Sequence, residues 1–169
     1  MNRRLTVILA LFAVAAWSSE AWSRTARPGC DVNSWATERL NNWGRQLARS
    51  TPQDPSPIVG TYDERYAVLL PTCANGPLTN SSKPETITDY FKSFLKDKPV
   101  VTFDEPIVGG VCGNAFASGL YKFKLNGDRG PTLQARYTYV FQGRRGRIMQ
   151  HHSSLAPKTP DQQCPAHQD

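Results

Sequence analysis

The chain has few cysteines, four in all, and no two of them are spaced C-x-x-C, so a cysteine metal site has no support. P-loop, G-x-S-x-G, Ser-His-Asp and dinucleotide patterns are all missing. That removes the usual signatures of phosphate cradling, hydrolase nucleophiles and NAD binding. The apolar run Leu5–Trp17 is too short for a membrane span, which needs roughly 20 residues. Acidic residues are in deficit, 14 against 20 basic ones, giving a formal charge of +6 and a pI near 9.3. Such a balance favours anionic partners only weakly. The basic residues are scattered apart from Arg144, Arg145 and Arg147, and no RNA or DNA motif accompanies them. No nucleic-acid partner is expected.

What is present begins with an export signal. Arg3 and Arg4 precede the apolar run, and Ala21-Trp22-Ser23 supplies small residues for cleavage after Ser23. The expectation is a secreted or periplasmic protein with no membrane segment after signal removal. Residues 1–23 form the signal, 24–30 a linker, 31–157 the folded domain and 158–169 a polar tail. All four cysteines lie in the mature part, and an even number in an exported chain predicts two disulfides. Three pairings are open. The layout favours Cys30–Cys164 stapling the tails and Cys73–Cys112 tying a loop to the sheet.

Taken in order, Asp31 reads as an N-cap, and Val32, Ala36, Leu40, Trp43 and Leu47 recur at helical spacing. A helix is predicted over Val32–Arg49, with a polar opposite face. Ser56-Pro57 opens a second short helix, Ile58–Arg65. Tyr66–Leu70 reads as a strand. Ser82 and Glu85 have capping-box spacing before a third helix that carries Ile87, Tyr90, Phe91, Phe94 and Leu95. Val100–Val108 is a further strand, turned or bulged at Gly109-Gly110 into a meander.

That meander comprises Val111–Leu125, Thr132–Gln142 and Arg147–Ala156, joined by Gly-rich turns. Alternation puts Tyr121, Phe123, Tyr137, Tyr139 and Phe141 on one face, with Met149, His151 and Ser153 near its end. Helices gathered on one side of an antiparallel sheet give an α+β fold, here a curved sheet closed into a cone by a long first helix and two further ones.

This order and several phrases resemble the nuclear-transport-factor-2-like (NTF2-like, cystatin-like) superfamily. The nearest branch is the association domain of calcium/calmodulin-dependent protein kinase II and its SnoaL-like relatives. The likeness rests on Tyr66–Pro71, Asn75-Gly76-Pro77, Asp89-Tyr90-Phe91 with Phe94-Leu95, Ala135–Phe141 and His151–Pro157. It implies an NTF2-like cone with an internal pocket. In the kinase II association domain that pocket is lined by arginines, and the corresponding places here hold Tyr121, Tyr139 and Ser153. The same anionic ligand is therefore not expected. The kinase domain itself is absent, so kinase activity is not implied, and the superfamily's habit implies a homodimer.

The expected ligand-lining set is Tyr121, Phe123, Tyr137, Tyr139, Met149 and Ser153, with Tyr62 and Tyr90 from the covering segments. His151 is the group on this face that titrates near neutral pH, so it is the candidate general base. Tyr121, Tyr137 or Tyr139 would orient it, or Asp63 or Asp89. His152 points to the opposite face, so the pair is not a metal motif. No Asp or Glu lies on the aromatic face, which tells against steroid-isomerase-type catalysis. The reading is a non-catalytic binder of an apolar or aromatic small molecule, without cofactor or metal. A cyclase, isomerase or dehydratase using His151, or a protein-interaction module, stand as alternatives.

Overall fold

The computed structural model describes residues 29–72, 76–80 and 86–155. Helix α1 (Val32–Arg49) has the predicted bounds. The Asp31 carboxylate accepts the backbone N–H groups of Asn33 and Ser34, meeting two donors that a helix start leaves unpaired. Trp35, Ala36, Leu40, Trp43 and Leu47 are buried, so the apolar stripe is the face laid on the sheet.

Helix α2 (Ser56–Val59) is a single turn and does not reach Arg65 as predicted. Beyond Gly60 the chain finds better partners on the sheet edge. Asp63 donates its N–H to the Ile148 carbonyl, and Ile148 donates to Thr61, which sets Tyr62 parallel to Ile148. Strand β1 (Val68–Leu70) is shorter than expected, with Tyr66 exposed, and it pairs parallel to β6 (Arg147–Leu155). The sheet is thus mixed, because the long connection from β1 to β6 permits a parallel pair. Helix α3 (Ile87–Phe94) is capped by Thr86, whose hydroxyl accepts the Asp89 N–H, and a 3-10 turn follows over Leu95–Asp97. The capping box expected at Ser82–Glu85 lies outside the described residues.

The predicted strand 100–108 is two strands, β2 (Val100–Phe103) and β3 (Ile107–Val111), both antiparallel to β4 (Asn114–Lys124). They are broken around Pro106, which has no N–H to give a ladder. The turn into β4 falls at Cys112-Gly113 and not at Gly109-Gly110, which lie within β3. A Cβ at Gly109 would meet the Phe116 ring across the pair, so any other residue there would make that half-exposed ring shift. Strand β5 (Thr132–Gln142) has the predicted bounds. Among the described residues the strand order is β1-β6-β5-β4-β2, with β3 also on β4.

Two expectations fail here. First, Val140 pairs with Gln150 but Phe141 pairs with Ile148, so Met149 is the extra residue of a β-bulge. The bulge shifts the alternation, Ile148 is buried with His151 and Ser153, and Met149 leaves the inner set. Second, the disulfide is Cys30–Cys112, Cα atoms 6.3 Å apart, which overturns both favoured pairings. Cys112 sits in the β3–β4 turn and not inside the meander, and that turn meets the start of α1. Cys73 and Cys164 lie outside the described residues. No helix among the described residues is long and apolar enough to cross a membrane.

Candidate functional site

The inner face of the sheet is a sheet of rings. Tyr121 and Phe123 come from β4, Tyr137, Tyr139 and Phe141 from β5, and all are buried. Trp43 of α1 descends onto them. Its ring lies 5.6 Å from Tyr139 and 5.6 Å from His151, both edge-on, and it also meets Phe91 and Phe103. These are the offset and T-shaped arrangements that ring quadrupoles favour.

Through the rings runs one polar chain. Trp43 Nε1 donates to the Tyr62 hydroxyl at 3.0 Å, and that hydroxyl lies 2.8 Å from His151 Nδ1. An indole N–H can only donate, so the Tyr62 oxygen is an acceptor there. Its own proton is then best spent on Nδ1. Assigned that way, the imidazole keeps its proton on Nε2 and Nε2 is a donor. Burial holds the His151 pKa down at about 3, with His152 adding a little, so the ring is neutral across the physiological range. Tyr139 stacks on it with centroids 4.0 Å apart.

A second network joins β4, β6 and the segment after β1. Tyr121 donates to the Ser153 hydroxyl, which lies 2.8 Å from the hydroxyl of Thr72. Burial raises the pKa of Tyr62, Tyr121 and Tyr139, and that of Tyr137 to about 12 with the Asp104 carboxylate adding to it, so all four phenols stay protonated.

Among the described residues, three buried inner-face atoms have no protein partner: His151 Nε2 and the hydroxyls of Tyr137 and Tyr139. The expected set is therefore brought together in part. Tyr62, Tyr121, Tyr137, Tyr139, His151 and Ser153 meet in the interior. Phe123 packs at its edge against Tyr121 and Phe94, and half-buried Tyr90 stacks on Phe94 at the rim. The expected orienting groups are not the ones used. Asp63 caps the backbone of Arg65 and Tyr66, and Asp89 binds Thr86 and Lys92 on the surface. Tyr62 holds His151 instead. Trp43, Phe103 and Thr72 were outside the predicted site; Trp43's place in the apolar stripe of the first helix was the available signal.

Two open clefts lie away from these atoms. One, about 410 Å³, is bounded by α1, α2 and the β5–β6 turn, with Phe141 and Ile148 in its lining. The other, about 470 Å³, lies between the end of α1, the 3-10 turn and Val100.

No family model matches the sequence, and no curated protein matches it. Solved structures do. A Xanthomonas campestris protein classed with the calcium/calmodulin-dependent protein kinase II association domain is 30% identical, over 79% of this chain and 94% of its own, with a TM-score of 0.64. This chain belongs to that association-domain family. An NTF2-like superfamily protein from Salmonella enterica aligns at 16% identity over 79% of this chain and 97% of its own, TM-score 0.55. The epoxide hydrolase/cyclase-like enzyme SalBIII aligns at 12% identity over 73% and 92%, TM-score 0.54. These last two share the fold alone. The association-domain cone thus carries here a neutral imidazole and tyrosine hydroxyls at its centre.

Proposed function

We propose that the cone is a non-catalytic binding chamber for a small apolar or aromatic molecule that bears a hydrogen-bond acceptor. The observation that carries this is the trio of buried, unpartnered atoms, His151 Nε2 and the Tyr137 and Tyr139 hydroxyls, on a face otherwise built of rings. A buried donor left unmatched costs about 1–3 kcal/mol. A guest with a carbonyl or ether oxygen recovers that cost while its body packs on the rings. General-base catalysis by His151 is the weaker reading. In the tautomer assigned above its free nitrogen holds the proton, its basicity is low, and no described carboxylate faces it. The N-terminal signal pattern supports export, and the Cys30–Cys112 pair suits an oxidising compartment.

A matched pair of probes tests the chamber. Acetophenone, which carries an acceptor, should bind more tightly than ethylbenzene, which does not, in a tryptophan-fluorescence titration. Equal affinity, or no binding of either, counts against it.

One observation favours a second reading at the same time, self-association. On the outer sheet face Ile107 is 72% and Phe116 42% exposed, on paired strands β3 and β4. Apolar side chains grouped on one open sheet face suit a second copy of the same surface.

A further inference from the structure

On the outer face of the sheet, cross-strand pairs put Phe116 beside Val140, Ser118 beside Thr138 and Leu120 beside Arg136, all turned away from the rings. The Ser118 and Thr138 hydroxyls bond to each other at 3.0 Å, so the middle pair is satisfied within the chain. The outward residues of β4, β5 and β6 include lysines and arginines but no Asp or Glu. Lys122 has an acid, Asp104, at 3.9 Å. Arg136 is exposed, and among the described residues it makes no ion pair.

An acid in the same condition lies at the sheet edge. Glu105 sits in the break between β2 and β3, exposed, and among the described residues it makes no ion pair either. That break is tied to β4 by the Asp104 N–H, which donates to the Leu120 carbonyl. Leu120 therefore has Arg136 one strand away on one side and the Glu105 segment one strand away on the other, about 5 Å each way. Across β4 the order is acid, half-buried leucine, base.

Such an order is its own complement. An isologous contact sets a surface against a copy of itself turned by a two-fold axis. With that axis along β4, above Leu120, Glu105 of each copy meets Arg136 of the other, and both pairs form at once. The same turn lays Phe116 on Phe116 and brings Ile107 over Thr138, so the two exposed apolar side chains are covered as well.

We infer that the outer face binds a second copy of this chain as a two-fold dimer whose register is set by reciprocal Glu105–Arg136 ion pairs. This pairing rests on the self-association reading and adds to it a symmetry and two residues. Charges at a contact of this kind fix register and partner choice more than raw affinity. A face that offered only Arg136 would repel its own copy.

Sedimentation velocity of the wild type and charge variants at matched concentrations tests it. The wild type should sediment as a dimer. R136E and E105R should each weaken association about tenfold or more, because each sets like charges face to face twice in the dimer. R136E combined with E105R restores opposite charges and should associate to within about threefold of the wild type. R129E makes the same charge change on the β4–β5 turn and should leave the dimer as it is. All of these replace exposed side chains, so circular dichroism should be unchanged. A wild type that stays monomeric at high concentration defeats the self-association reading, and the pairing with it. A dimer that tolerates R136E and E105R, or that the combined variant does not recover, overturns the ion pairs and leaves self-association standing.

Discussion

Tyr62 and Tyr139 carry the same phenol into the same interior, with opposite consequences. The Tyr62 oxygen joins Trp43 Nε1 to His151 Nδ1, while that of Tyr139 meets no protein partner. Tyr62→Phe strips two buried groups of their partner and should cost about 1–3 kcal/mol. Tyr139→Phe removes an unmatched hydroxyl and should leave the unliganded protein as stable or up to about 1 kcal/mol more so. Tyr139→Ala, which empties the ring's place, should cost about 3–5 kcal/mol. Urea melts of the three variants read this order directly. His151 adds a pH signature. Its pKa is about 3 folded and about 6.5 unfolded, so between these values the unfolded chain binds the extra proton. The contribution is whole above about pH 6.5 and is lost as pH falls toward 3. Between pH 6.5 and 4.5 stability should drop by about 2–3 kcal/mol. The carboxylates with lowered pKa, Asp31, Asp54, Asp63 and Asp89, lose their contribution in a window at or below their ordinary 3.8. His151→Phe should flatten the slope above pH 4.5, and an unchanged slope would place the effect elsewhere.

At the scale of elements, the covalent tie is the clearest test. Cys30 precedes α1 and Cys112 turns β3 into β4, 82 residues apart in sequence. Replacing both by Ser should cost about 2–4 kcal/mol, and non-reducing peptide mapping should recover a Cys30–Cys112 fragment. Much of this level was legible in the sequence. Asp31 with the 3.6-residue stripe set both ends of α1, and alternation with Gly-rich turns set β5 and most of β4 and β6. What was not legible depended on partners distant in the chain. The bulge at Met149 comes from register against β5, which no local pattern encodes, and it exchanged Met149 for Ile148 on the inner face. Helix α2 stops early because the β6 edge offers hydrogen bonds to Thr61 and Asp63. Cysteine spacing could not reveal that the start of α1 lies over the β3–β4 turn. Face parity put Tyr121, Tyr137, Tyr139, His151 and Ser153 on the face that is buried. Tyr62 and not Asp63 reaches His151 because Thr61 and Asp63 bond to Ile148 on the β6 edge, which places Tyr62 beside it.

For the whole molecule, each face of the sheet carries its own proposal. The outer one exposes Ile107 and Phe116, and on the self-association reading the wild type should sediment as a dimer and I107D with F116D as a monomer. A wild-type monomer at high concentration would remove the self-association reading. The inner face carries the central claim, that a cone of rings around a neutral His151 holds a small molecule. Its most direct test is native mass spectrometry of the oxidised protein purified from the cells that make it. The account predicts a reproducible added mass of small-molecule size, lost when the interior is filled by a larger ring or when the protein is denatured. A clean unliganded mass across independent preparations, joined by no adduct with acetophenone, would contradict it.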